Sequence, residues 1–253
     1  MRKSILKDTI IMKLHLIWIA TTLLISLNSM AQKLGVTQPV NISHQAFNNL
    51  LQKYVSNDGK VNYKGLKNDK AALETYITTL AKQIPDNTWS KNAALAYWIN
   101  AYNAFTLKLI VDNYPVKSIT NLSGGKPWDV KNIELAGKKY SLNNIENDII
   151  RPTYKDARIH FAVNCAAVSC PPLSNTAFTE ANINDLLNTR TKNFINSSAN
   201  TITASKIRIS KIFDWYKADF EDVPAFINKY STIKTITNTG IEFNEYNWNL
   251  NEK

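Results

Sequence analysis

The sequence has no apolar run of the roughly 20 residues that a bilayer-spanning helix needs. The closest stretch, residues 14–27, has 14 residues, so we expect no stable membrane span. A basic run of five or more residues is also missing, although the formal net charge is +10. The lysines are scattered among asparagine and threonine, a pattern typical of a solvated surface, so we expect no nucleic-acid partner.

The first 31 residues follow the order of a secretory signal. Four basic side chains precede the apolar run, at Arg2, Lys3, Lys7 and Lys13. The small residues Ser29 and Ala31 then stand at the positions that a signal peptidase reads, so we expect a signal peptide over 1–31, cleavage before Gln32 and a periplasmic or secreted protein. No cysteine lies near this position, which disfavours a lipid-anchored form. An uncleaved N-terminal anchor and a start at Met12 are the alternatives.

Residues 32–253 show no internal repeat and no low-complexity linker. The chain is 44% hydrophobic and 10% aromatic, and this part is long enough to bury a full core, so we expect a single domain. Apolar periodicity and capping residues predict helices near 43–55, 69–82, 90–114, 142–150, 179–195 and 212–230. Short strands are predicted near 133–135, 138–140, 157–163, 202–209 and 241–243. Helices mixed with short antiparallel hairpins indicate a mostly helical α+β fold, with 157–163 as its central strand.

The predicted helix at 90–114 carries two asparagines, Asn100 and Asn103, on one stripe of its surface. Trp98, Tyr102 and Phe105 lie on another stripe. Asparagine destabilises a helix interior by about 0.5 kcal/mol relative to alanine, so two of them on a buried-looking helix point to hydrogen bonds that matter. Two interpretations stay open: the amides line a substrate pocket, or they are structural and satisfy a nearby loop.

The segment 157–172 gathers several groups that are capable of chemistry. Alternation along the predicted strand puts its apolar side chains on one face and its polar side chains, Arg158, His160 and Asn164, on the other. We expect Arg158 and Asn164 to bind substrate. Asn100 and Asn103 of the long helix are the other candidate substrate-binding residues.

The two cysteines of the chain, Cys165 and Cys170, follow this strand directly. A histidine beside a cysteine promotes the thiolate that acts as a nucleophile, so Cys165 and His160, together with Glu146, are the candidate catalytic residues. Five residues of straight strand span roughly 16 Å. The pair therefore needs a sharp chain reversal after residue 164, or else His44 brought in from elsewhere.

Other interpretations of the cysteines stay open. A Cys165–Cys170 disulfide would close a small loop and suits an oxidising compartment. The thiols could instead be structural. Metal binding by the two thiols and His160 matches no standard zinc spacing and lacks a fourth ligand, so we expect no metal and no cofactor.

Glu146 is flanked by apolar residues at helical spacing, which favours an inward-facing carboxylate. A buried carboxylate needs a cationic or hydrogen-bonding partner, and Arg151, Arg158 and His160 are the candidates. The alternative is a surface acid on an amphipathic helix.

Seven short motifs are spaced along residues 32–253. They read WINAYNA (98–104), IE (145–146), RIHFAVNCA (158–166), SCP (169–171), IFDWY (212–216), DF (219–220) and YNWNL (246–250). In content and order they resemble the domain-of-unknown-function family DUF547. The resemblance covers essentially the whole of residues 32–253.

Membership of DUF547 implies no particular reaction, because that family comprises exported bacterial proteins and coiled-coil-containing plant proteins without an assigned activity. A histidine commonly follows the glutamate of the second motif in the family, whereas this chain has Asn147. That departure weakens an enzymatic interpretation. Intracellular plant members share the cysteine pair, which weakens the disulfide as an explanation for the whole family.

These features predict a binding or structural module with a polar pocket for an unknown small-molecule or envelope ligand. Trp128, Trp215 and Tyr216 are candidate contacts. The alternative is a cysteine-dependent hydrolase or acyl transferase acting on an envelope amide or ester. Separation of His160 and Cys165 along the predicted strand favours the module, and whether the chain is an enzyme stays open.

Overall fold

The structure, a computed structural model, describes residues 42–234 and 240–253. The predicted signal peptide at 1–31 lies outside the described residues. Across the described ranges, no helix combines the length and the apolar character that crossing a bilayer requires.

Helices dominate the fold, and the strands are short. The α-helices are α1 Gln45–Tyr54, α2 Tyr63–Asn68, α3 Lys70–Ala81, α4 Lys91–Asn113, α5 Arg151–Tyr154, α6 Ile183–Ile195, α7 Ile212–Trp215, α8 Lys217–Phe220 and α9 Val223–Tyr230. The strands are β1 Ile133–Leu135, β2 Lys138–Tyr140, β3 Thr201–Ile202, β4 Ile207–Ile209 and β5 Ile241–Phe243. Short 3₁₀ helices lie at Ile119–Asn121, Ser123–Gly125, Pro127–Asp129 and Ala157–Phe161, and a π-helix at Asn144–Ile150. The predicted single-domain, mostly helical α+β fold is confirmed.

Both predicted hairpins are present. β1 and β2 pair antiparallel around a turn at Ala136 and Gly137, which both have positive φ. β3 and β4 also pair antiparallel, and β5 adds to β4 in the parallel direction. Both sheets contribute to the buried cores: Ile133 and Leu135 of β1 pack in a large cluster, and Ile207 and Ile209 of β4 pack in a smaller one.

Helix α4 is the central element of the larger core. Ser90 caps it, its Oγ accepting the Ala93 N–H at 3.1 Å, and Pro115 follows its end, as the sequence predicts. Its side chains are buried on all sides between Leu95 and Leu107. A helix that is apolar around its whole circumference must lie inside the protein, and α3 packs beside it.

The predicted central strand at 157–163 is wrong, because Ala157–Phe161 is a 3₁₀ helix. Asp156 caps it, its carboxylate accepting the Arg158 N–H at 3.0 Å. Every residue from 159 to 164 is buried, so the alternation of polar and apolar side chains does not separate a core face from a solvent face. A 3₁₀ helix rises only about 2 Å per residue. The segment is therefore much shorter than the predicted strand.

Successive side chains of this 3₁₀ helix enter different cores. Ile159 packs in the large cluster around α4, whereas Phe161 packs in a smaller one with Phe194, Phe213 and Phe220. His160 lies between them and is 2% exposed. The junction of the two clusters therefore fixes the position of this imidazole.

Two other helix predictions are corrected at one end, and one short helix was not predicted. The helix predicted to stop at Ile150 continues through α5, because Pro152 lies in the first turn of that helix, where a missing N–H is tolerated. The helix predicted from Thr179 starts at Ile183, after a turn in which the Thr179 and Asn182 side chains cap each other's N–H groups. Helix α2 was not predicted, since its six residues show no apolar period.

Candidate functional site

One cavity of about 330 Å³ is lined by several side chains that could bind a ligand or react with it. Side chains from α4, the 119–129 segment, the π-helix, the 3₁₀ helix, the cysteine loop, α7 and the C-terminal segment line it. They are Tyr102, Gly125, Lys126, Trp128, Asp129, Asn143, Glu146, His160, Val163, Cys165, Cys170, Pro171, Ile212, Trp215, Tyr216, Tyr246 and Trp248. A concave, largely apolar site with a few polar groups is the usual form of a small-molecule site.

The three candidate catalytic residues, Cys165, His160 and Glu146, all line this cavity. So do Trp128, Trp215 and Tyr216, the candidate ligand contacts. The four candidate substrate-binding residues are not among the lining residues: they are Asn100, Asn103, Asn164 and Arg158. The structure therefore brings together the catalytic set and separates it from the predicted binding set.

Asn103 and Asn164 build the loop that carries Cys165. The Asn103 Nδ2 donates to the Ala162 carbonyl at 2.9 Å, and its Oδ1 accepts the Asn164 N–H at 2.9 Å. The Asn164 side chain in turn donates to the Pro171 carbonyl and accepts the Ala166 N–H, each at 2.9 Å. Ala166 has a φ of 59°, a conformation that non-glycine residues rarely adopt. These bonds produce the chain reversal after residue 164.

Asn100 and Arg158 have their partners away from the cavity. Asn100 brackets Phe178, donating to its carbonyl at 2.7 Å and accepting its N–H at 3.0 Å. Arg158 pairs with Asp156 at 2.6 Å. Both contacts stabilise backbone or caps, which agrees with the structural interpretation of the asparagines.

Cys165 is partly exposed, and its Sγ lies 3.2 Å from the Tyr246 hydroxyl oxygen. Burial raises the pKa of this thiol, but hydrogen bonds from the Cys170 thiol, the Tyr246 hydroxyl and the Ala167 N–H outweigh burial and set the pKa below its ordinary value. Burial, together with the neighbouring Cys165, raises the pKa of Cys170 well above its ordinary value. Cys165 is therefore the more acidic thiol of the pair.

Both cysteines are free thiols, so the disulfide considered from the sequence is not formed in the structure. The Cys165 N–H donates to Cys170 Sγ at 3.0 Å, which gives Cys170 a structural role in the loop. Within residues 42–234 and 240–253, no group of three or more His, Cys, Asp or Glu side chains is placed to hold a metal ion.

The His160 ring is fixed on two sides. Its Nε2 lies 2.7 Å from Asp219 Oδ2, and the ring stacks on Tyr216 with the centroids 3.9 Å apart. Its Nδ1 is buried and has no hydrogen-bond partner among the described residues. No hydrogen bond joins His160 and Cys165, both of which the structure describes. The imidazole is therefore oriented by a carboxylate, and its buried Nδ1 is left without a hydrogen bond among the described residues.

His44, the other histidine considered as a partner for the thiol, does not line the cavity. Its Nδ1 lies 2.7 Å from the Tyr76 hydroxyl oxygen. Burial lowers its pKa to about 4. His44 is a neutral core histidine.

Asp219 connects His160 to Arg151. The guanidinium donates from Nε at 2.6 Å and from Nη2 at 3.0 Å to the two carboxylate oxygens. Hydrogen bonds from His160 and Arg151 outweigh partial burial and hold the pKa of Asp219 well below its usual range. Arg151 also donates to Asn147 at 2.7 Å and lies 4.9 Å from the Tyr216 ring centroid. Asp219 therefore holds both the His160 imidazole and the Arg151 guanidinium in place.

Glu146 is only 5% exposed and lies in the π-helix, a conformation that often occurs at functional sites. Burial, together with the neighbouring Glu146 carboxylate, raises the pKa of the Tyr216 hydroxyl. The inward-facing interpretation is therefore right. None of its three predicted basic partners forms an ion pair with it: Arg151 and His160 bind one aspartate and Arg158 binds another.

Aromatic rings form one wall of the cavity. Trp215, Tyr246 and Trp248 contact one another with centroids 4.6–5.8 Å apart, and Trp128 lies 5.6 Å from Trp248. Trp215 is 45% exposed. We call these four residues the aromatic wall.

Residues 87–195 match the family described as "Protein of unknown function, DUF547". The chain is therefore similar to the DUF547 family over these residues, which make up less than half of its length. No curated protein and no solved structure matches the chain. The DUF547 match contains Glu146, His160, Cys165 and Cys170, but it ends before Asp219 and before three of the four residues of the aromatic wall. The cavity therefore combines the DUF547 segment with the C-terminal part of the chain.

The sequence did not predict two polar residues of this site, Asp219 and Tyr246. Both lie in motifs that support the DUF547 resemblance. Nothing local marks either one, because each acts on a residue far away in the chain: Asp219 on His160 and Tyr246 on Cys165. Only the fold supplies these pairings.

Proposed function

We propose that the chain is a cysteine-dependent hydrolase or acyl transferase acting on an amide or ester. The observation that carries this proposal is the meeting of two groups at one cavity: the partly exposed Cys165 thiol and the His160 imidazole held by Asp219. One sequence argument against this function was that a straight strand would separate Cys165 from His160. The segment is instead a 3₁₀ helix followed by a chain reversal.

The nucleophile is the Cys165 thiolate. A cysteine reacts as its thiolate, and hydrogen-bond donors that lower the thiol pKa raise the reactive fraction near neutral pH. Three donors act on Cys165: the Cys170 thiol, the Tyr246 hydroxyl and the Ala167 N–H. Cys165 is accessible from the cavity, whereas Cys170 is buried.

His160 supplies acid–base catalysis. Asp219 fixes its Nε2, as a carboxylate does in a nucleophile–base–carboxylate arrangement, and Nδ1 remains for proton transfer. The missing Cys165–His160 hydrogen bond fits an unliganded site, because catalytic hydrogen bonds tighten when substrate binds. His160 therefore takes the role of base and then of acid.

The proposed reaction transfers an acyl group in two stages, through a thioester on Cys165. The Cys165 proton passes to His160, and the thiolate adds to the substrate carbonyl carbon, forming the carbon–sulfur bond. The bond to the amine or alcohol breaks, and that leaving group takes the proton from His160. Water, or an acceptor amine or alcohol, then gives a proton to His160 and attacks the thioester, which releases the acyl group and the thiol.

Selective alkylation tests this proposal. Iodoacetamide should modify Cys165 rapidly at pH 7 and leave Cys170 unmodified in the folded protein, as read by peptide mass spectrometry. Asp219→Asn should slow modification of Cys165, since His160 loses its carboxylate partner. The matched control Asp156→Asn, which removes a carboxylate that pairs with Arg158 instead, should leave the rate unchanged. An inert Cys165 thiol in folded protein rules the proposal out.

A non-catalytic binding module is the second candidate, and the aromatic wall favours it. Four aromatic rings around a cavity of about 330 Å³ suit a small ligand without any covalent step. In that case Cys165→Ser retains ligand binding and no acylated protein forms with any ester. If the chain is instead a cysteine-dependent enzyme, an ester should acylate the protein.

We also propose export of the protein, from the basic, apolar and small-residue order of residues 1–31. The substrate or ligand is then an envelope compound. Mass spectrometry of the protein from an expressing cell should show an N-terminus at Gln32. An N-terminus at Met1 or Met12 in the mature protein contradicts this.

A further inference from the structure

We propose that the cavity binds a positively charged nitrogen of its substrate, with Glu146 as the receptor carboxylate and the aromatic wall as the packing surface. The substrate class is then an amide or ester that carries an ammonium group near its acyl carbon, such as an amino-acyl compound or a peptide with a free amino terminus. This assignment deepens the proposed function and rests on it for the reaction, but not for the binding.

Among the residues that the structure describes, no cationic side chain lies within ion-pair distance of Glu146. Glu146 is 5% exposed and lines the cavity, and the Tyr216 hydroxyl beside it is a neutral group. Arg151 is the nearby cation, but its guanidinium donates to Asp219 and Asn147. An ionised carboxylate can accept about four hydrogen bonds, and burying one without a cation is unfavourable. A ligand ammonium group supplies the missing partner.

The aromatic wall reinforces the preference for a cation. The faces of aromatic rings carry negative charge density and attract ammonium groups. Trp215 and Trp248 present nearly parallel rings, with 22° between their planes, and Tyr246 packs against both. An ammonium group at Glu146 therefore leaves the apolar part of the substrate in contact with these rings.

The remaining charges around the cavity do not reverse this preference. Lys126 and Asp129 both line it and have opposite signs, and Asp129 already accepts the Asn143 amide at 2.5 Å. Glu146 is the second acidic side chain of the lining, against the single lysine Lys126. This excess of acidic side chains disfavours an anionic ligand.

Three probes of one shape test the assignment: benzylamine as its cation, benzyl alcohol and benzoate. Binding is read at pH 7 from the fluorescence of the tryptophans in the aromatic wall. In the unmodified protein the cation should bind at least about tenfold more tightly than the alcohol, since a charged hydrogen bond is worth that much, and benzoate should bind most weakly. Glu146→Gln should abolish the cation's advantage. Asp129→Asn, the control, should keep it.

Equal affinity for the cation and the alcohol overturns the assignment, and so does a cation preference that survives in Glu146→Gln. If that variant fails to fold, the order of the three probes on the unmodified protein still decides. Alkylation of Cys165 separates this inference from the proposed function. A reactive thiol without a cation preference sinks the inference alone. An inert thiol with a Glu146-dependent cation preference sinks the enzyme and leaves a cation-binding module.

Discussion

Replacing Asn103 by leucine removes two hydrogen bonds at the base of the cysteine loop and nearly conserves the side-chain volume. The Ala162 carbonyl and the Asn164 N–H then lose their partner. Both residues are buried, and each unsatisfied backbone group costs about 1–3 kcal/mol. We expect a loss of about 2–4 kcal/mol in the free energy of unfolding. For a domain of this size, that lowers Tm by roughly 5–15 °C.

Asn100→Leu is the matched control on the same helix. It also removes two hydrogen bonds between buried groups, in this case to Phe178, so its loss of stability should be similar. Its effect on chemistry should differ, because Asn100 holds no part of the loop that carries Cys165. Asn103→Leu should slow alkylation of Cys165 several-fold at a temperature where the variant is fully folded, whereas Asn100→Leu should not.

Thermal unfolding followed by circular dichroism measures the first effect, and iodoacetamide kinetics at Cys165 measure the second. Two results refute the reasoning. One is a Tm within about 2 °C of the unmodified protein for both variants, which means that the buried bonds contribute little. The other is equal slowing of alkylation in both variants, which means that reactivity reports general stability.

Three further changes have defined outcomes. Tyr246→Phe should slow alkylation of Cys165 at pH 7 by roughly tenfold, since the lost hydroxyl donates to the thiolate; an unchanged pH–rate profile contradicts this. Cys170 should be alkylated only on unfolding, because it is buried and its pKa is raised, and labelling of folded protein at Cys170 opposes that view. Asp219 has a lowered pKa in the folded protein, so its stabilising contribution is present above about pH 4 and is lost as the pH falls further. Asp219→Asn should therefore unfold with a weaker dependence on pH below 4, and an unchanged acid dependence argues against the His160–Asp219 bond.

The local elements of this fold could be predicted from the sequence. Helix α4 has a serine cap, an uninterrupted apolar run and a proline after its end, and the β1–β2 hairpin has a glycine in its turn. Signals of this kind lie within a few residues of the element they define. The hairpin strands were accordingly predicted at their observed positions.

The segment 157–163 could not be predicted, because its environment decides its conformation. A strand with alternating polar and apolar residues normally has a solvent face, but here His160 and Asn164 are buried with their apolar neighbours. Asp219 binds the His160 Nε2 and Asn103 binds the Asn164 N–H, and both partners lie more than 50 positions away. The alternation of polar and apolar residues therefore reflects polar side chains with buried partners, and it does not mark a face exposed to solvent.

The candidate site was predicted in part for a similar reason. Cysteine and histidine are chemically distinctive and rare in this chain, so Cys165 and His160 could be chosen from residue type, and Glu146 could be chosen from its apolar flanks at helical spacing. The asparagines were ambiguous because the same amide can bind a ligand or a backbone. Asn100 and Asn103 bind backbone.

Acyl transfer to Cys165 can be observed directly with p-nitrophenyl acetate. Mixing excess ester with folded protein should release a burst of about one p-nitrophenolate per chain, and peptide mass spectrometry of the quenched mixture should find the acetyl group on Cys165. His160→Gln should remove the burst. If no burst occurs, or if the acetyl group lies only on surface lysines, Cys165 is not a nucleophile and the account of the cavity as an acyl-transfer site is wrong.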